Sequence, residues 1–247
     1  MRIGTWNVEY APDDRLGALR SMLSANPADI WILTETRDEL APGEGRFFAH
    51  ADPRPGTFSS IRPGSRWVSI WSKFPIVERV TLPGADANRT VAAVLDLGGG
   101  GRLIVYGTVM PWHSDQGDLP PETRLPNWSE HHRVVEQQCA EWLKLQRLYP
   151  DASLCVAGDY NTDMGTGSLY GTKTGISALS EGLRHANLFC VTQPGRIPSG
   201  LLPALPIDHI SLPISWAKSA SVVAAWPASK GTISDHSGLI VEANVVG

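Results

Sequence analysis

Residues 154–163 read Leu154-Cys155-Val156-Ala157-Gly158-Asp159-Tyr160-Asn161-Thr162-Asp163. The apolar half suits a central strand covered on both faces, and it stops at Gly158. Asp159 and Asn161, two apart, project to one side because strand side chains alternate with period two. A carboxylate and a carboxamide thus meet at a strand end, where open α/β sheets keep their ligands. The carboxylate can accept a proton or orient water, and the amide can donate to an anionic oxygen. The same residues also favour an Asx-type turn, so the pair gains meaning only from the rest of the chain.

That chain has 247 residues, enough for one large domain with a sizeable core, and a single domain over 1–247 is expected. Hydrophobic content of 42% and charged content of 19% are those of a globular protein. No apolar run reaches the ~18 residues that a membrane span needs. The chain starts with strand-like Arg2-Ile3-Gly4-Thr5-Trp6 and no signal-like stretch, so a cytoplasmic monomer is expected. Cys139, Cys155 and Cys190 are spaced too irregularly for a disulfide framework or zinc knuckle and read as core residues. A net charge of −4 argues against coating long nucleic acid with a basic face, though not against docking a short stretch.

Strand patterns fall at 2–8, 29–34, 66–72, 76–82, 90–97, 102–109, 153–158, 207–212 and 238–245. Residues 66–97 look antiparallel, with Ser72-Lys73-Phe74-Pro75-Ile76 as a hairpin turn. One helix carries Leu16, Leu19, Met22 and Leu23 behind Asp13 and Asp14. A longer one is capped by Ser129 and turns Val135, Cys139, Trp142 and Leu143 inward, and a third spans 177–187. Long loops at 36–65, 110–128 and 193–206 are expected to form functional rims. Hairpins mixed with crossovers suggest two packed mixed sheets with helices outside.

Polar residues recur where strands end. Strand 2–8 delivers Asn7 and Glu9, strand 29–34 delivers Glu35, Asp208-His209 opens another, and Ser234-Asp235-His236 precedes the last. The oxygen donors Glu35, Glu9, Asn7 and Asp235 suit Mg²⁺ or Mn²⁺, whereas no Cys/His set has zinc spacing. A histidine held by a buried aspartate supplies an imidazole that changes charge near neutral pH. Such a collection suits metal-assisted hydrolysis of a phosphate ester by water.

The ordered series Thr5-Trp6-Asn7-Val8-Glu9, Leu33-Thr34-Glu35-Thr36, Gly158-Asp159-Tyr160-Asn161, Ile207-Asp208-His209 and Ser234-Asp235-His236 resembles the endonuclease/exonuclease/phosphatase superfamily. That superfamily includes deoxyribonucleases, abasic-site endonucleases, inositol polyphosphate 5-phosphatases and neutral sphingomyelinases. The resemblance implies a four-layer α/β/β/α sandwich with the site at one edge of the two sheets. It also implies Glu35 as principal ligand of a Mg²⁺ or Mn²⁺ ion, Asn7 on the metal or phosphate, and Glu9 and Asp235 near the ion. Asp159 would orient or deprotonate water, Asn161 bind the phosphate, and His236, oriented by Asp208, face it; either Asp159 or His236 could be the base.

One position departs from the superfamily. Many members end the strand corresponding to 102–109 with a His or Tyr that assists the phosphate or leaving group, whereas Val109 stands there and can do no proton chemistry. His113, four residues on, is a candidate replacement or a solvated loop residue. Arg89 could contact an anionic ligand or form a surface salt bridge, and Arg37, Arg62, Arg66 and Arg124 could form a phosphate-binding rim. Tyr106 reads as core or interface, and His131 and His132 as a wet helical face. Partners are thus a phosphate ester, nucleic acid among them. The alternative reading, favoured by Val109, is a catalytically impaired member acting as a binding protein.

Overall fold

Asp159 ends a strand whose alternate side chains enter two different cores, and the whole architecture follows from that division. Residues 1–54, 62–117, 122–165 and 169–244 are described by the structure, a computed structural model. Among them, one sheet contains β1 (Arg2–Asn7), β2 (Ile30–Arg37), β3 (Phe47–His50), β4 (Ser65–Ser72), β11 (Ser221–Trp226) and β12 (Gly238–Glu242), in the order β11-β12-β1-β2-β4-β3. The other contains β5 (Ile76–Val80), β6 (Thr90–Gly98), β7 (Gly101–Val109), β8 (Ala152–Asp159), β9 (Leu188–Cys190) and β10 (Asp208–Pro213), in the order β5-β6-β7-β8-β10-β9. Parallel pairs β1·β2 and β7·β8 sit among antiparallel neighbours. Both sheets are therefore mixed.

Period-two alternation sorts the side chains into layers. Ile3, Ile32, Val105, Cys155, Ala157, Ile210 and Leu239 meet between the sheets. Trp6, Trp31 and Leu33 point outward against α1 (Leu16–Ala25). Tyr106, Leu154 and Val156 point outward against α2 (Ser129–Leu148) and α3 (Lys173–His185). The result is the expected α/β/β/α sandwich. Asn7, Asp159 and Asp208 share the parity of the inter-sheet residues, so they emerge where the two sheets end side by side.

Several local expectations are corrected. Residues 72–76 form no hairpin, because β4 pairs with β2 and β3 while β5 pairs with β6. The turn, in which Ser72 Oγ accepts from the Phe74 amide at 2.9 Å, carries the chain from one sheet to the other. β3 lies inside the expected 36–65 loop, and β9 and β11 are short edge strands without a strong pattern. Trp128, with φ 72°, precedes α2 instead of Ser129 capping it, and α3 starts at Lys173, capped by Thr172 accepting from Gly175. Asp13 does not cap α1 but pairs with Arg37 and Arg62. His131 is buried, with Nδ1 2.7 Å from the Pro111 carbonyl oxygen, and His132 meets Thr172 Oγ1 at 2.7 Å. Neither forms a wet face. Cys155 and Cys190 are buried and Cys139 partly so, all as free thiols.

Candidate active site

The site is assembled from strand ends of both sheets. Register sets Asp208 directly beside Asp159 on antiparallel β10 and β8. Gly158 lets β7 approach β8 just before Asp159: with φ +134°, a Cβ there would lie 2.1 Å from the Thr108 carbonyl oxygen. From the other sheet, Asn7 Nδ2 donates to Glu35 Oε1 and to Asp159 Oδ2, each at 3.2 Å. One carboxamide thus bridges two carboxylates that would otherwise repel.

Glu35 reaches the site by breaking the strand rule. Thr34 pairs with Asn7, so strict alternation would turn Glu35 toward the outer face. Its φ of +46° interrupts β2 and redirects the side chain inward. Positive φ also occurs at Glu9, Tyr10 and Ala11, just after Asn7, and at Asn161, just after Asp159. Non-glycine residues pay of order 1–3 kcal/mol for sparsely populated conformations, which persist where the surroundings over-determine them.

Asp208 Oδ2 lies 2.6 Å from His236 Nδ1, and the Asp208 carboxylate is buried. The loop bearing His236 is pinned by Ser234, whose Oγ donates to the Asn7 carbonyl oxygen at 2.6 Å and accepts from the His236 amide at 3.1 Å. With Nδ1 engaged, Nε2 remains for a ligand. Asp159 Oδ1 accepts from the Asn161 amide at 2.8 Å, while Asn161 Nδ2 donates to the Met110 carbonyl oxygen at 2.8 Å. A second Nδ2 hydrogen of Asn161 is left for an incoming oxygen.

Electrostatics follow from burial and crowding. Burial and the neighbouring Asp208 charge push Asp159 up to about 7, against the pull of His236. Burial disfavours the charged His236, but Asp208 and Asp159 outweigh it and raise the imidazole to about 10. Burial also raises Glu35, against support from Asn7 and the Tyr10 hydroxyl. Three carboxylates thus face one imidazolium, and Asp208 Oδ1 is buried without a hydrogen-bond partner. This oxygen-rich, charge-deficient donor set fits a hard divalent cation. Asp159, Asp208 and His236 bring ligand atoms within 4.8 Å of one another. Glu35 and Asn7 stand beside that trio and could supply further oxygen donors.

The remaining candidates divide. Glu9 is turned to Arg15, at 2.6 Å, with its amide donating to Asn7 Oδ1 at 2.9 Å. Asp235 is exposed, its Oδ1 3.9 Å from His236 Nε2. His113 is exposed on its loop, 6.1 Å between ring centroids from Trp128. Arg89 is neutralised by buried Asp115 at 2.6 Å and by Asp86 at 3.7 Å. Of the expected rim, Arg37 and Arg62 pair with Asp13, and Arg66 is bidentate to Asp38 at 2.8 Å. Arg124 is exposed. Val109 is buried between the sheets, as an apolar strand end should be.

Three residues without a sequence signal enter instead. Tyr170 Oη donates to Asn161 Oδ1 at 3.3 Å, and its ring stands edge-on to Trp128 at 5.3 Å. Buried Asp163, just past Asn161, fixes that loop by accepting from the Leu169 and Tyr170 amides at 2.7 and 3.2 Å. On the opposite side the Arg54 guanidinium stacks 3.7 Å from the Trp67 ring centroid, bonds the Tyr10 hydroxyl and acts electrostatically on Glu35. All three arrive from loops, where no periodicity marks them.

The sequence model of the "Endonuclease/Exonuclease/phosphatase family" matches residues 4–236. No curated protein matches the chain by sequence. Among solved structures, a 3′-5′ exonuclease from Neisseria meningitidis superposes with TM-score 0.65 at 16% identity, covering 99% of this chain and 100% of its own. An AP endonuclease from Leishmania major gives 0.66 at 17%, covering 99% and 88%. Sphingomyelinase C from Streptomyces griseocarneus gives 0.60 at 19%, covering 99% of both chains. At such identities the likeness is one of fold, and the family assignment rests on the sequence match. Strand-end polar residues, a sandwich fold and that match together assign the chain: it belongs to the endonuclease/exonuclease/phosphatase family.

Proposed function

We propose that this chain is a Mg²⁺- or Mn²⁺-dependent phosphoester hydrolase that drives water onto the phosphorus of a phosphodiester or phosphomonoester. The observation that carries the reading is the joint placement of Asp159, the Asp208–His236 pair and Glu35 around Asn7. One core shared by both sheets supports residues 1–247 acting as a single catalytic domain.

Asp159 is fixed by Asn7 and by the Asn161 amide, so its carboxylate is positioned to orient water and take its proton. His236, charged at neutral pH and held by Asp208, faces a phosphate oxygen through Nε2 and stabilises the developing charge. Asn161 donates its remaining amide hydrogen to the same phosphate. Tyr170 Oη, held protonated by burial and by the Asp159 charge, donates to the departing oxygen as the P–O bond breaks. Glu35 and Asn7 would hold the divalent cation, which when bound polarises the phosphoryl oxygens.

The test is hydrolysis of bis-p-nitrophenyl phosphate, a short oligonucleotide and phosphomonoesters with Mg²⁺ or Mn²⁺, beside Glu35→Ala and His236→Ala. Metal-dependent turnover abolished by both substitutions is expected. Metal binding without turnover on the whole panel would overturn the enzyme reading and leave a binding protein.

A further inference from the structure

His209 follows Asp208 on β10, and strand alternation turns it away from the side on which Asp208 meets His236. It is fully buried, with its ring centroid 5.3 Å from that of Tyr160. Nε2 lies 2.8 Å from the Thr162 carbonyl oxygen, and Nδ1 lies 3.0 Å from Thr192 Oγ1 and 3.6 Å from Cys190 Sγ. A carbonyl oxygen only accepts, so Nε2 carries a hydrogen whatever the charge of the ring. Thr192 Oγ1 also accepts from the Ile210 amide at 3.1 Å, which ties the Nδ1 side to the end of β9 and to β10. The imidazole is thus held by the sheet on one side and holds a loop on the other.

That loop presents Asn161 and Tyr170. Asn161 has φ 49°, a sparsely populated conformation that persists only where its surroundings fix it. On the near side, Asp159 Oδ1 and the Met110 carbonyl oxygen receive its backbone and side-chain N–H groups. On the far side, buried Asp163 gathers the Gly165, Leu169 and Tyr170 amides. Between these anchors lies buried Thr162, whose carbonyl receives the His209 hydrogen. Removing that donor leaves a buried carbonyl unsatisfied, a cost that the loop escapes by turning the peptide and carrying Asn161 with it.

We infer that His209 is a positioning residue: it sets the Asn161 turn and, through it, the carboxamide that meets the substrate phosphate. Both ring nitrogens are engaged and the residue is buried, so the imidazole itself touches no substrate. The kinetic consequence rests on the phosphoesterase reading, whereas the geometry of the turn does not.

The side-chain amide ¹H–¹⁵N signals of Asn161 in metal-free protein read the turn directly. His209→Leu occupies the space without a donor and should displace them. His209→Gln, whose Nε2 can stand in for the imidazole Nε2, should restore them. Kinetics on bis-p-nitrophenyl phosphate with Mg²⁺ read the consequence. His209→Leu should lower kcat/KM about tenfold in the otherwise intact protein, the scale of one lost buried hydrogen bond. With Asn161→Ala already in place the further loss should be less than about twofold, because nothing is left to position. His209→Gln should stay within about threefold of the intact protein. If His209→Leu does not fold, Thr192→Val frees the Nδ1 side of the ring and takes its place in both measurements. Undisplaced Asn161 signals, or an equal loss of kcat/KM with and without the Asn161 carboxamide, would overturn the inference. Displaced signals restored by glutamine, in a protein that hydrolyses no phosphate ester, would leave the positioning role standing and sink the enzyme reading alone.

Discussion

His236 Nδ1 and Asp208 Oδ2, 2.6 Å apart, join the ends of two different sheets: Asp208 opens β10, and His236 lies on the loop before β12. The pair is both a clasp between layers and a charge pair. Removing the carboxylate's charge with Asp208→Asn leaves the imidazole buried without its main support. Its pKa should fall from about 10 toward and below the ordinary 6.5, read from ¹H–¹⁵N imidazole shifts in metal-free protein. Turnover should drop about 10²–10⁴-fold, the worth of a positioned acid–base group. An unchanged imidazole titration would remove Asp208 from this role.

Stability of the metal-free protein should fall as pH rises. Asp159 keeps its proton to about 7 when folded but loses it near 3.8 when unfolded, and His236 keeps its proton to about 10 against 6.5. In each window the folded state binds more protons, so rising pH favours unfolding, at ~1.4 kcal/mol per proton per pH unit. Tm measured in EDTA should decline from pH 5 through 9. Saturating Mg²⁺ should flatten this slope and add ~2.7 kcal/mol at a hundredfold excess over Kd. A Tm that rises with pH in EDTA would contradict the buried proton sites.

Tyr170→Phe separates a catalytic hydroxyl from a structural one. The Asn161 contact at 3.3 Å is lost in either case. If Oη assists the departing oxygen, the loss in kcat should depend on the leaving group. It should be about tenfold or more for an alkyl ester and near unity for p-nitrophenolate, which departs without help. Equal losses on both esters would assign Tyr170 to positioning Asn161 alone.

Much of this site was legible because it obeys the strand rule. Asn7, Asp159 and Asp208 end apolar strands on the inter-sheet parity, and alternation alone carries them to the sheet edge. Glu35 was recognisable from its strand, but its inward turn depends on a left-handed backbone that no alternation reveals. Glu9 followed the same spacing argument as Asn161 and is instead held by Arg15, since positive φ at Glu9 ends the alternation. Pairing within the expected rim is not legible from arginine positions alone: Arg37, Arg62 and Arg66 have acids within reach, and Arg124 is exposed. Tyr170 is set by Asp163 pinning a loop backbone, a tertiary effect without local periodicity. The 72–76 turn was legible as a turn but not as a change of sheet, which depends on β2 and β3 competing for β4.

Gly158→Ala should cost stability well beyond an ordinary glycine substitution. The added Cβ would meet the Thr108 carbonyl oxygen at 2.1 Å, with φ at +134°. A loss of ~2–4 kcal/mol is expected by denaturant unfolding. Gly195→Ala, at φ +83° with nothing within 4 Å, should cost ~1 kcal/mol. Similar losses at both positions would mean that backbone strain alone, and not the close approach of β7 and β8, sets the cost.

Glu35 and Glu9 provide the closing comparison, because sequence spacing treats them alike and the structure does not. Glu35 accepts from Asn7 inside the carboxylate cluster, whereas Glu9 is engaged by Arg15 at 2.6 Å. Glu35→Gln keeps the shape and removes the charge a divalent cation needs, so Mn²⁺ affinity followed by electron paramagnetic resonance should fall at least tenfold. Glu9→Gln should leave Mn²⁺ affinity within about threefold and lower stability by less than ~1 kcal/mol, the usual worth of a partly exposed ion pair. The two substitutions change net charge equally, so a long-range electrostatic effect would weaken Mn²⁺ to the same extent in both. Equal weakening would therefore show that charge near the site, rather than direct ligation by Glu35, governs the metal.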